Sequence, residues 1–370
     1  MYVKKIKLST FRNIESVEMK LEPGMNFLLG ENAQGKTNIL EAIYLFARGK
    51  SFRLAKDSEL VMFGKRGFTA EIVYQKKDRE ETLFYGLDGK EKTKKKNGVR
   101  VDRITDMLGH FRAVLFYPDH LQLVKGAPFE RRRFLDIAIS QCYPVYINLY
   151  SRYLKYLSER NTLLKMAQKG TEAESFSAQI AVYSEGLASL AAEIRLYREE
   201  YVQKLAAFGK EMLFSLSNGR ENLSLNYESD TVYTKGMDKE SLEREYKRAF
   251  SESIKREIAA GSTLFGVHRD DISFFVNGKD ARDFASQGQQ RSLVLVLKLA
   301  EGKISEALFG ETPVYLFDDV LSELDEERKS FLLSGIKDAQ FIFTGCDREA
   351  VKGSSLHFIE VKEGKATEIK

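Results

Sequence analysis

A short segment near the start of the chain, Gly30–Thr37, fits the phosphate-loop pattern G-x-x-x-x-G-K-[ST] at every defined position. The glycines let the backbone wrap the β-phosphate of a nucleotide with N–H groups, and the start of the following helix adds a favourable dipole. Lys36 would reach the β- and γ-phosphates, and the Thr37 hydroxyl would hold Mg²⁺. The predicted nucleotide-binding residues are Gly30, Glu31, Asn32, Ala33, Gln34, Gly35, Lys36, Thr37 and Asn38.

Much later in the chain, an apolar and β-prone stretch, Pro313–Phe317, ends in two aspartates. A carboxylate at the C-terminal edge of such a strand, beside a phosphate loop, lies where Mg²⁺ and the attacking water need negative charge. Asp318 is therefore predicted to face the metal, and Asp319 to polarise the water. The alternative is that the two aspartates cap the next helix, because Ser322–Asp325 resembles a helix start.

A third segment, Ser286–Ser292, precedes a strongly apolar helical pattern at 293–300. The first turn of that helix would offer free N–H groups and the Ser286 hydroxyl, which together suit an anion. As an isolated pattern, it indicates only a helix N-cap. With the other two segments, it indicates an ATPase head that closes on ATP by pairing with a second copy of itself. Lys36, Ser286 and Asp319 are then the residues predicted to act on the phosphates.

The elements around these segments predict an α/β fold. An apolar run at 25–29 reads as a strand before the phosphate loop, and 38–46 has helical spacing after it. Later predicted elements are strand 272–276, helix 289–301, strand 313–317, helix 324–336 and strand 340–344. Helices between apolar strands indicate a layered sheet. The predicted organisation is an ATPase head made from residues 1–120 and 261–370, with a helical arm inserted at 121–260.

The insert contains a regular apolar seam, with steps that alternate between four and three residues as far as Tyr201. Its members are Phe176, Ile180, Tyr183, Leu187, Leu190, Ile194, Tyr197, Tyr201 and Leu205. The seam predicts a helix on the order of 45–50 Å long, paired within the chain with the helical pattern at 143–168. This pair is either an arm that contacts DNA or a partner, or an ordinary packed subdomain.

The chain carries 58 Lys and Arg against 54 Asp and Glu, so its net charge of +4 does not by itself indicate a DNA-binding protein. Local clusters do exist. Lys94, Lys95 and Lys96 lie before Asn97-Gly98, which reads as a hairpin turn, so these lysines are expected at one projecting tip. Arg53 and Lys56 belong to a second cluster. Such residues would contact phosphates of DNA without sequence preference, unless the lysines are only a solvated tip.

The composition also indicates the cellular compartment in which the protein is expected. The sequence contains no apolar stretch long enough to span a membrane and no charged-then-apolar leader, so we expect a cytoplasmic protein that does not bind membranes. The only cysteines are Cys142 and Cys346, which fits a reduced cytosol and argues against a disulfide framework.

Taken together, the three segments resemble the ATP-binding-cassette (ABC) and SMC superfamily, and within it the RecF family of bacterial recombination mediators. The resemblance runs from about residue 3 to residue 350. Other motifs that carry it are Phe11-Arg12-Asn13, Gly49–Arg53, Gly266–Asp271 and Ala285–Arg291.

The resemblance implies a mechanism and partners. RecF-family proteins bind ATP, dimerise head to tail around two nucleotides, and bind double-stranded DNA near single-strand gaps. They work with RecO and RecR to help RecA load. By resemblance, the chain is a weak, DNA-stimulated, Mg²⁺-dependent ATPase that forms an ATP-dependent homodimer on gapped DNA and acts at gaps and stalled replication forks.

The resemblance also implies roles for individual residues. Arg12 and Asn13 would lie near the nucleotide of their own subunit, whereas Ser322 and Asp325 would face the dimer axis in the D-loop. The residues that would reach the nucleotide held by the other subunit are Ser286, Gln287, Gly288 and Gln289.

Three positions depart from the wider superfamily. Asp319 stands where Glu is usual and is one methylene shorter, which predicts slow hydrolysis. Thr344 is the polar residue nearest to the position of the usual switch histidine. Asp119 replaces the usual Gln at the junction of the lobes.

Two other classes of protein share these motifs. An energy-coupling ATPase subunit of a membrane transporter has the same three segments, but its signature usually begins Leu-Ser-Gly-Gly and it should lack a long inserted arm with basic tips. A chromosome-tethering structural protein needs a much longer coiled coil than this insert can form.

Overall fold

The computed structural model describes residues 1–53, 55–169, 173–335, 338–347 and 356–369. The chain divides into two compact units. The first contains both ends of the chain, and its segments are Met1–Gln122, Phe208–Asn222 and Ala285–Lys370. The second is formed by Leu123–Ala207 and Leu223–Phe284. An α/β head assembled from both chain ends is therefore confirmed.

The strands, in chain order, are β1 (Tyr2–Phe11), β2 (Ile14–Lys20), β3 (Met25–Leu29), β4 (Gly67–Lys76), β5 (Arg79–Asp88), β6 (Glu91–Lys96), β7 (Val99–Arg100), β8 (Ala113–Phe116), β9 (Leu223–Glu228), β10 (Asp271–Val276), β11 (Lys279–Asp280), β12 (Val314–Asp318), β13 (Phe341–Gly345), β14 (Leu356–Lys362) and β15 (Lys365–Ile369). The α-helices are α1 (Lys36–Arg48), α2 (Gln122–Lys125), α3 (Pro128–Cys142), α4 (Val145–Gln168), α5 (Ala173–Leu216), α6 (Lys239–Ala260), α7 (Ala281–Phe284), α8 (Gln287–Phe309) and α9 (Glu326–Gly335). Short 3₁₀ turns lie at Asp57–Leu60, Ile104–Asp106, Pro118–Leu121 and Leu321–Glu323.

The sheet that positions the candidate site has the order β15-β14-β3-β13-β12-β8. Strands β14, β3, β13, β12 and β8 run parallel, and only β15 is antiparallel. Every residue of β12 and β13 is buried, which explains why both sequences read as unbroken apolar runs. Because the carboxyl ends of parallel strands meet at one edge, the loop after β3 and the acidic end of β12 lie at the same edge.

The second sheet of this unit is antiparallel, with the order β2-β1-β4-β5-β6-β7. Its inner face carries alternating apolar side chains such as Ile6, Leu8 and Ile72, which are fully or almost fully buried in one cluster with Ile39 and Ile43 of α1. The phosphate-loop helix is therefore packed against both sheets, and its N-terminus cannot shift without disturbing this core.

The predicted strand boundaries differ little from the observed ones, whereas the helix boundaries differ more. Strands β12 and β13 each begin one residue later than predicted. Helix α8 extends well beyond the predicted 289–301, because apolar residues continue to Ile304 on its buried face. Helix α9 begins two residues after the predicted 324, and the predicted last residue, 336, lies outside the described residues.

The second unit is mainly helical and contains a small sheet with the order β11-β10-β9. Helix α5 belongs to this unit up to Ala207, and its remaining residues belong to the first. It has 44 residues, so it is about 66 Å long, well beyond the predicted length. The seam ends at Leu205, but Leu213 and Leu216 continue the buried pattern to the C-terminus of the helix. Pairing of α5 with α4 is observed: Arg160 Nε of α4 donates to Ser184 Oγ of α5 at 2.8 Å.

Candidate functional site

A cavity of about 450 Å³ opens at the carboxyl edge of the parallel sheet. The phosphate loop supplies half of its lining residues, and the loop joins β3 to α1 as predicted. Gly35 adopts φ 110°, a left-handed conformation that only glycine takes readily, and it caps the N-terminus of α1. The residues lining the cavity are Asn13, Asn32, Ala33, Gln34, Gly35, Lys36, Thr37, Asn38, Arg53, Asp318, Asp319 and Thr344.

Lys36 lies at the base of this cavity and is only 7% exposed. Its Nζ donates to the carbonyl oxygens of Gly30 at 2.6 Å and Glu31 at 2.7 Å, so the loop itself holds the ammonium group in place. Gly30 and Glu31 therefore contribute to the site through their backbone. A buried ammonium beside free N–H groups at a helix N-terminus is suited to a polyphosphate anion.

Asp318 and Thr37 meet across the cavity, although 281 positions separate them in the sequence. Thr37 Oγ1 donates to Asp318 Oδ1 at 2.7 Å, and Thr344 Oγ1 donates to the same oxygen at 2.8 Å. Burial raises the pKa of Asp318 above its ordinary value, while the hydrogen bonds from Thr37 and Thr344 oppose that shift. A buried carboxylate that needs compensation fits a site for a cation.

These oxygens fit Mg²⁺. Oxygen ligands in an octahedral shell with bonds of 2.0–2.1 Å lie about 3 Å apart, close to the 2.7 Å that separates Thr37 Oγ1 from Asp318 Oδ1. In the part of the chain that the structure describes, no cluster of three or more His, Cys, Asp or Glu residues could hold a metal. A metal here would take its remaining ligands from phosphate and water, as Mg²⁺ usually does in nucleotide sites.

Asp319 is exposed and lines the cavity next to Asp318. Its φ of 53° is left-handed, a conformation that Asp tolerates better than most side chains. Its N–H donates to Thr344 Oγ1 at 3.0 Å. Thr344, the stand-in for the switch histidine, therefore fixes both aspartates: it bonds the carboxylate of one and the backbone of the other.

Two asparagines brace the phosphate loop. Asn13 Nδ2 donates to the Ala33 carbonyl at 2.9 Å, and Asn38 Nδ2 donates to Asn13 Oδ1 at 2.7 Å. Ala33 itself has φ 65°. These contacts place Asn13 and Asn38 on the cavity wall and hold a strained turn of the loop in position.

The C-terminal hairpin β14–β15 also supports the loop, and nothing in the sequence pattern indicated this contact. Glu363 N donates to Gln34 Oε1 at 2.6 Å, and Gly364 N donates to the Gln34 carbonyl at 3.1 Å. A Cβ on Gly30 would lie 2.2 Å from the carbonyl oxygen of Val361, so glycine is required where the loop passes β14.

Two of the predicted arginines pair with Glu41, and only one of them lines the cavity. Arg12 donates through Nε and Nη2 to both carboxylate oxygens of Glu41, at 3.0 and 2.8 Å, and as described it does not line the cavity. Arg53, assigned to DNA from its basic cluster, lines the cavity, and its Nη1 donates to Asn38 Oδ1 at 2.9 Å. Its local sequence could not show that Arg53 folds back over the start of α1.

The three lysines of the predicted basic tip do not share one surface. Lys95 is exposed and lies over Phe84, with Nζ 5.4 Å from the ring centroid. Lys94 donates to the Asp102 carbonyl, and Lys96 Nζ lies 2.9 Å from His110 Nδ1 and 3.9 Å from Glu81. Side chains of a strand alternate between its faces, so β6 separates Lys95 from the other two. Lys56 is exposed.

The signature segment begins α8 with a capping box. Ser286 Oγ accepts from Gln289 N at 3.2 Å, and Gln289 Oε1 accepts from Ser286 N at 2.9 Å. Ser286 and Gln287 are exposed, and Gly288 and Gln289 are partly buried. None of these four described residues lines the cavity of their own chain. The N–H groups of Ser286 and Gln289 are used within the capping box, so any anion bound at this turn would have to come from outside the chain's own cavity.

The D-loop residues sit between the acidic strand end and α9. Ser322 Oγ donates to the Asp319 carbonyl at 2.9 Å, and Asp325 Oδ1 accepts from Arg328 N at 3.0 Å. The helix-capping role considered for the two aspartates thus belongs to Asp325, while Asp318 and Asp319 face the cavity. Asp119 is exposed in the 3₁₀ turn that follows β8.

Cys346 offers a direct probe of this site. Its exposed thiol lies 3.7 Å from Lys36 Nζ and 3.3 Å from Asn32 Oδ1, whereas Cys142 is buried. We expect N-ethylmaleimide to label Cys346 alone in the native protein, and saturating ATP with Mg²⁺ to slow that labelling about tenfold or more, because access governs thiol reactivity. Mass spectrometry of the labelled peptide measures this. Equal labelling rates with and without ATP would show that the nucleotide binds elsewhere. The Cys346→Ser variant, which should not be labelled, confirms which cysteine reacts.

The fold and this site define the class of protein: an ATP-binding ATPase head of the ABC and SMC type. A family model described as the RecF/RecN/SMC N terminal domain matches residues 2–368. The chain is 38% identical over 366 residues to the DNA replication and repair protein RecF of Halalkalibacterium halodurans, covering 97% of this chain and 98% of the relative. Identity to RecF of Streptococcus pneumoniae P1031 is 39% over 370 residues, covering 99% of each. The chain belongs to the RecF family.

Solved structures agree with this assignment. A structure of the recombination mediator protein RecF with ATPrS, described as part of the RecFOR pathway, superposes with a TM-score of 0.93 at 33% identity, covering 100% of this chain and 98% of that one. The Smc head domain of Pyrococcus furiosus gives a TM-score of 0.57 at 17% identity, covering 100% and 96%, which shows the shared fold alone. The transporter-subunit alternative gains no support. Among the described residues, no helix is both long and apolar enough to span a bilayer.

Proposed function

We propose that this chain is an ATP-dependent, dimerising DNA-binding ATPase of recombinational repair, acting at single-strand gaps and stalled replication forks. The main observation behind this proposal is that the nucleotide site consists of two parts that do not meet within one chain. One part is a complete phosphate cavity, and the other is an exposed signature turn that lies outside the cavity of its own chain. A second copy of the chain can supply that turn to the open side of the cavity.

Within one subunit, the residues divide the work on ATP. The phosphate-loop N–H groups and Lys36 bind the β- and γ-phosphates, and Thr37 with Asp318 would hold Mg²⁺, whose charge helps to neutralise the phosphates. Asp319 orients the attacking water. We assign Arg53 to the triphosphate and not to DNA, because its guanidinium lines the cavity.

In the dimer, Ser286 and Gly288 contact the γ-phosphate held by the other subunit, assisted by Gln287 and Gln289. ATP then adds contacts that only the pair can make, so it shifts the population toward the dimer. Hydrolysis removes the phosphate that both subunits hold, and the pair loosens. The short Asp319 makes this a weak ATPase, and contact with DNA stimulates it by favouring the paired state.

The proposed DNA partners are double-stranded DNA and gapped duplexes, and the proposed protein partners are RecO and RecR, with help to RecA loading as the outcome. The support is membership of the RecF family and the structural likeness to a RecF described in the RecFOR pathway. For the DNA contact, the exposed Lys56 and Lys95 are the best placed of the predicted lysines.

Sedimentation with gapped duplex DNA tests this function. We expect ATP to convert monomer to dimer and to strengthen DNA binding. Changing Lys56→Glu together with Lys95→Glu should weaken that binding at least about tenfold and flatten its salt dependence, because each lost phosphate contact removes about 0.9 from the slope. The variant avoids Lys94 and Lys96, whose replacement would break contacts within the chain.

The matched control is Lys20→Glu, an exposed lysine on β2 at the opposite edge of the same sheet. Unchanged DNA binding by the double variant would show that these lysines are solvated and do not contact DNA. ATP-dependent pairing that proceeds without any affinity for DNA would contradict the repair function, while leaving the nucleotide site intact.

A further inference from the structure

One arginine outside the recognised motifs holds the signature helix. Arg328, on the first turn of α9, donates from Nη2 to the Gly288 carbonyl at 2.8 Å and from Nε to Ser292 Oγ at 2.8 Å. Its Nη1 pairs with Asp325. All three guanidinium nitrogens are thus used, two on α8 and one on the D-loop. Lysine could not reproduce this planar arrangement.

The contact with Gly288 is close. A Cβ at that position would lie 3.3 Å from Arg328 Nη2, tighter than most such contacts, so glycine leaves room for the guanidinium beside the helix backbone. An exposed ion pair three residues apart on a helix contributes little by itself. The pair with Asp325 uses only one nitrogen of Arg328, whose side chain is 19% exposed. The contribution of Arg328 therefore comes mainly from its two hydrogen bonds to α8.

The segment that follows α5 contacts both the signature turn and α9. Gln289 Nε2 donates to Glu221 Oε1 at 2.9 Å, and Asn218 Nδ2 donates to Glu327 Oε1 at 2.7 Å. Asn218 and Glu221 lie just after the C-terminus of α5. Since Gln289 also caps Ser286, these bonds fix the orientation of the signature turn relative to α9.

Two sets of contacts, joined by the backbone of residues 322–325, therefore link the signature turn to the residues of the chain's own cavity. Arg328 connects Gly288 to Asp325, and Ser322, in the turn just before it, donates to the carbonyl of Asp319. In the proposed dimer, Gly288 contacts the partner's nucleotide, whereas Asp319 lines the cavity of its own chain. Arg328 lies between the two.

We propose that Arg328 is a positioning residue that couples the two nucleotide sites of the dimer. It holds the signature turn and the D-loop as one rigid piece, so a phosphate bound by Gly288 in one site sets the position of Asp319 in the other. This inference rests on the proposed function, because it requires two copies that share nucleotides.

The test compares full-length Arg328→Ala and Arg328→Lys with Lys329→Ala. Lys329 is the neighbouring cation on α9 and pairs with Glu326 at 2.9 Å. We expect all variants to bind a fluorescent ATP analogue as monomers within about twofold of the parent chain. Both Arg328 variants should need at least about tenfold more protein to dimerise with ATP, and their Hill coefficient for hydrolysis should fall from near 2 to about 1, the value for uncoupled sites.

Ser292→Ala provides a milder variant in case Arg328→Ala loosens α9. It removes only the acceptor for Nε and should shift dimerisation in the same direction by about threefold, roughly the effect of one hydrogen bond. An unchanged Hill coefficient in Arg328→Ala, or full rescue by lysine, would overturn the coupling role. Failure of the parent chain to dimerise with ATP would instead reject the proposed function, so the two failures are distinguishable.

Discussion

Replacing Lys36 with Ala is expected to abolish ATP-driven dimerisation and to reduce hydrolysis by about 10²–10⁴-fold. The ammonium group makes two hydrogen bonds to loop carbonyls and is almost fully buried at the base of the cavity. When ATP binds, the ammonium would exchange these carbonyls for the β- and γ-phosphates, because it has only three donors. Hydrogen bonds from a charged donor contribute about 1.5–3 kcal/mol each, so losing both phosphate contacts would cost about 3–6 kcal/mol. Without ATP binding, the contacts that join the two copies cannot form.

Sedimentation with ATP and a phosphate-release assay measure the two effects of the Lys36 substitution. Lys50→Ala is the matched control, because Lys50 follows the same helix and is exposed. The thermal midpoint of the Lys36 variant should stay close to that of the parent chain, since Lys36 contributes little to the apolar core. A variant that still dimerises with ATP would show that the phosphate loop does not hold the nucleotide.

Changing Ser286 to Arg is expected to prevent dimerisation while leaving ATP binding by the monomer within about twofold. Ser286 is exposed and does not line the cavity of its own chain, as far as the structure describes it. The long side chain would occupy the space that the partner's γ-phosphate needs. It also removes the cap of α8, which costs about 1 kcal/mol of helix stability.

The control for Ser286→Arg is Ser286→Thr, which keeps the hydroxyl that caps α8. Threonine should dimerise with ATP nearly as well as serine, whereas arginine should remain monomeric at every protein concentration tested. Binding of a fluorescent ATP analogue and sedimentation separate the two steps. Equal loss of binding and pairing in the arginine variant would mean that Ser286 acts on its own nucleotide, and the shared-site proposal would fall.

The phosphate loop could be predicted from the sequence because its requirements are local. Glycine at position 35 permits a left-handed φ, Lys36 and Thr37 follow at fixed offsets, and apolar runs on both sides predict β3 and α1. The acidic end of β12 was predictable for a similar reason, since an unbroken apolar run indicates a buried parallel strand. Parallel strands bring their carboxyl ends to one edge, which accounts for Asp318 beside Thr37.

The basic clusters show where local pattern fails. A run of lysines predicts charge on a surface, but it does not predict which neighbours neutralise that charge. Lys96 is held beside His110 and Glu81, and Arg53 folds into the nucleotide cavity. Each outcome depends on residues brought close by strand pairing and by the turn after α1. The spacing of the two basic clusters therefore could not show which of their members remain available to DNA.

By itself, the sequence determined the chemistry: a phosphate loop, an acidic strand end, a capped signature helix, and an α/β head built from both chain ends. Only the tertiary structure decided which side chains serve those motifs from a distance. Arg328 on Gly288, Thr344 on Asp318, and Glu363 on Gln34 join segments with no shared local pattern. A motif can be recognised because its requirements concern the backbone of a few consecutive residues. These contacts join residues far apart in the sequence, so they depend on how the whole chain packs.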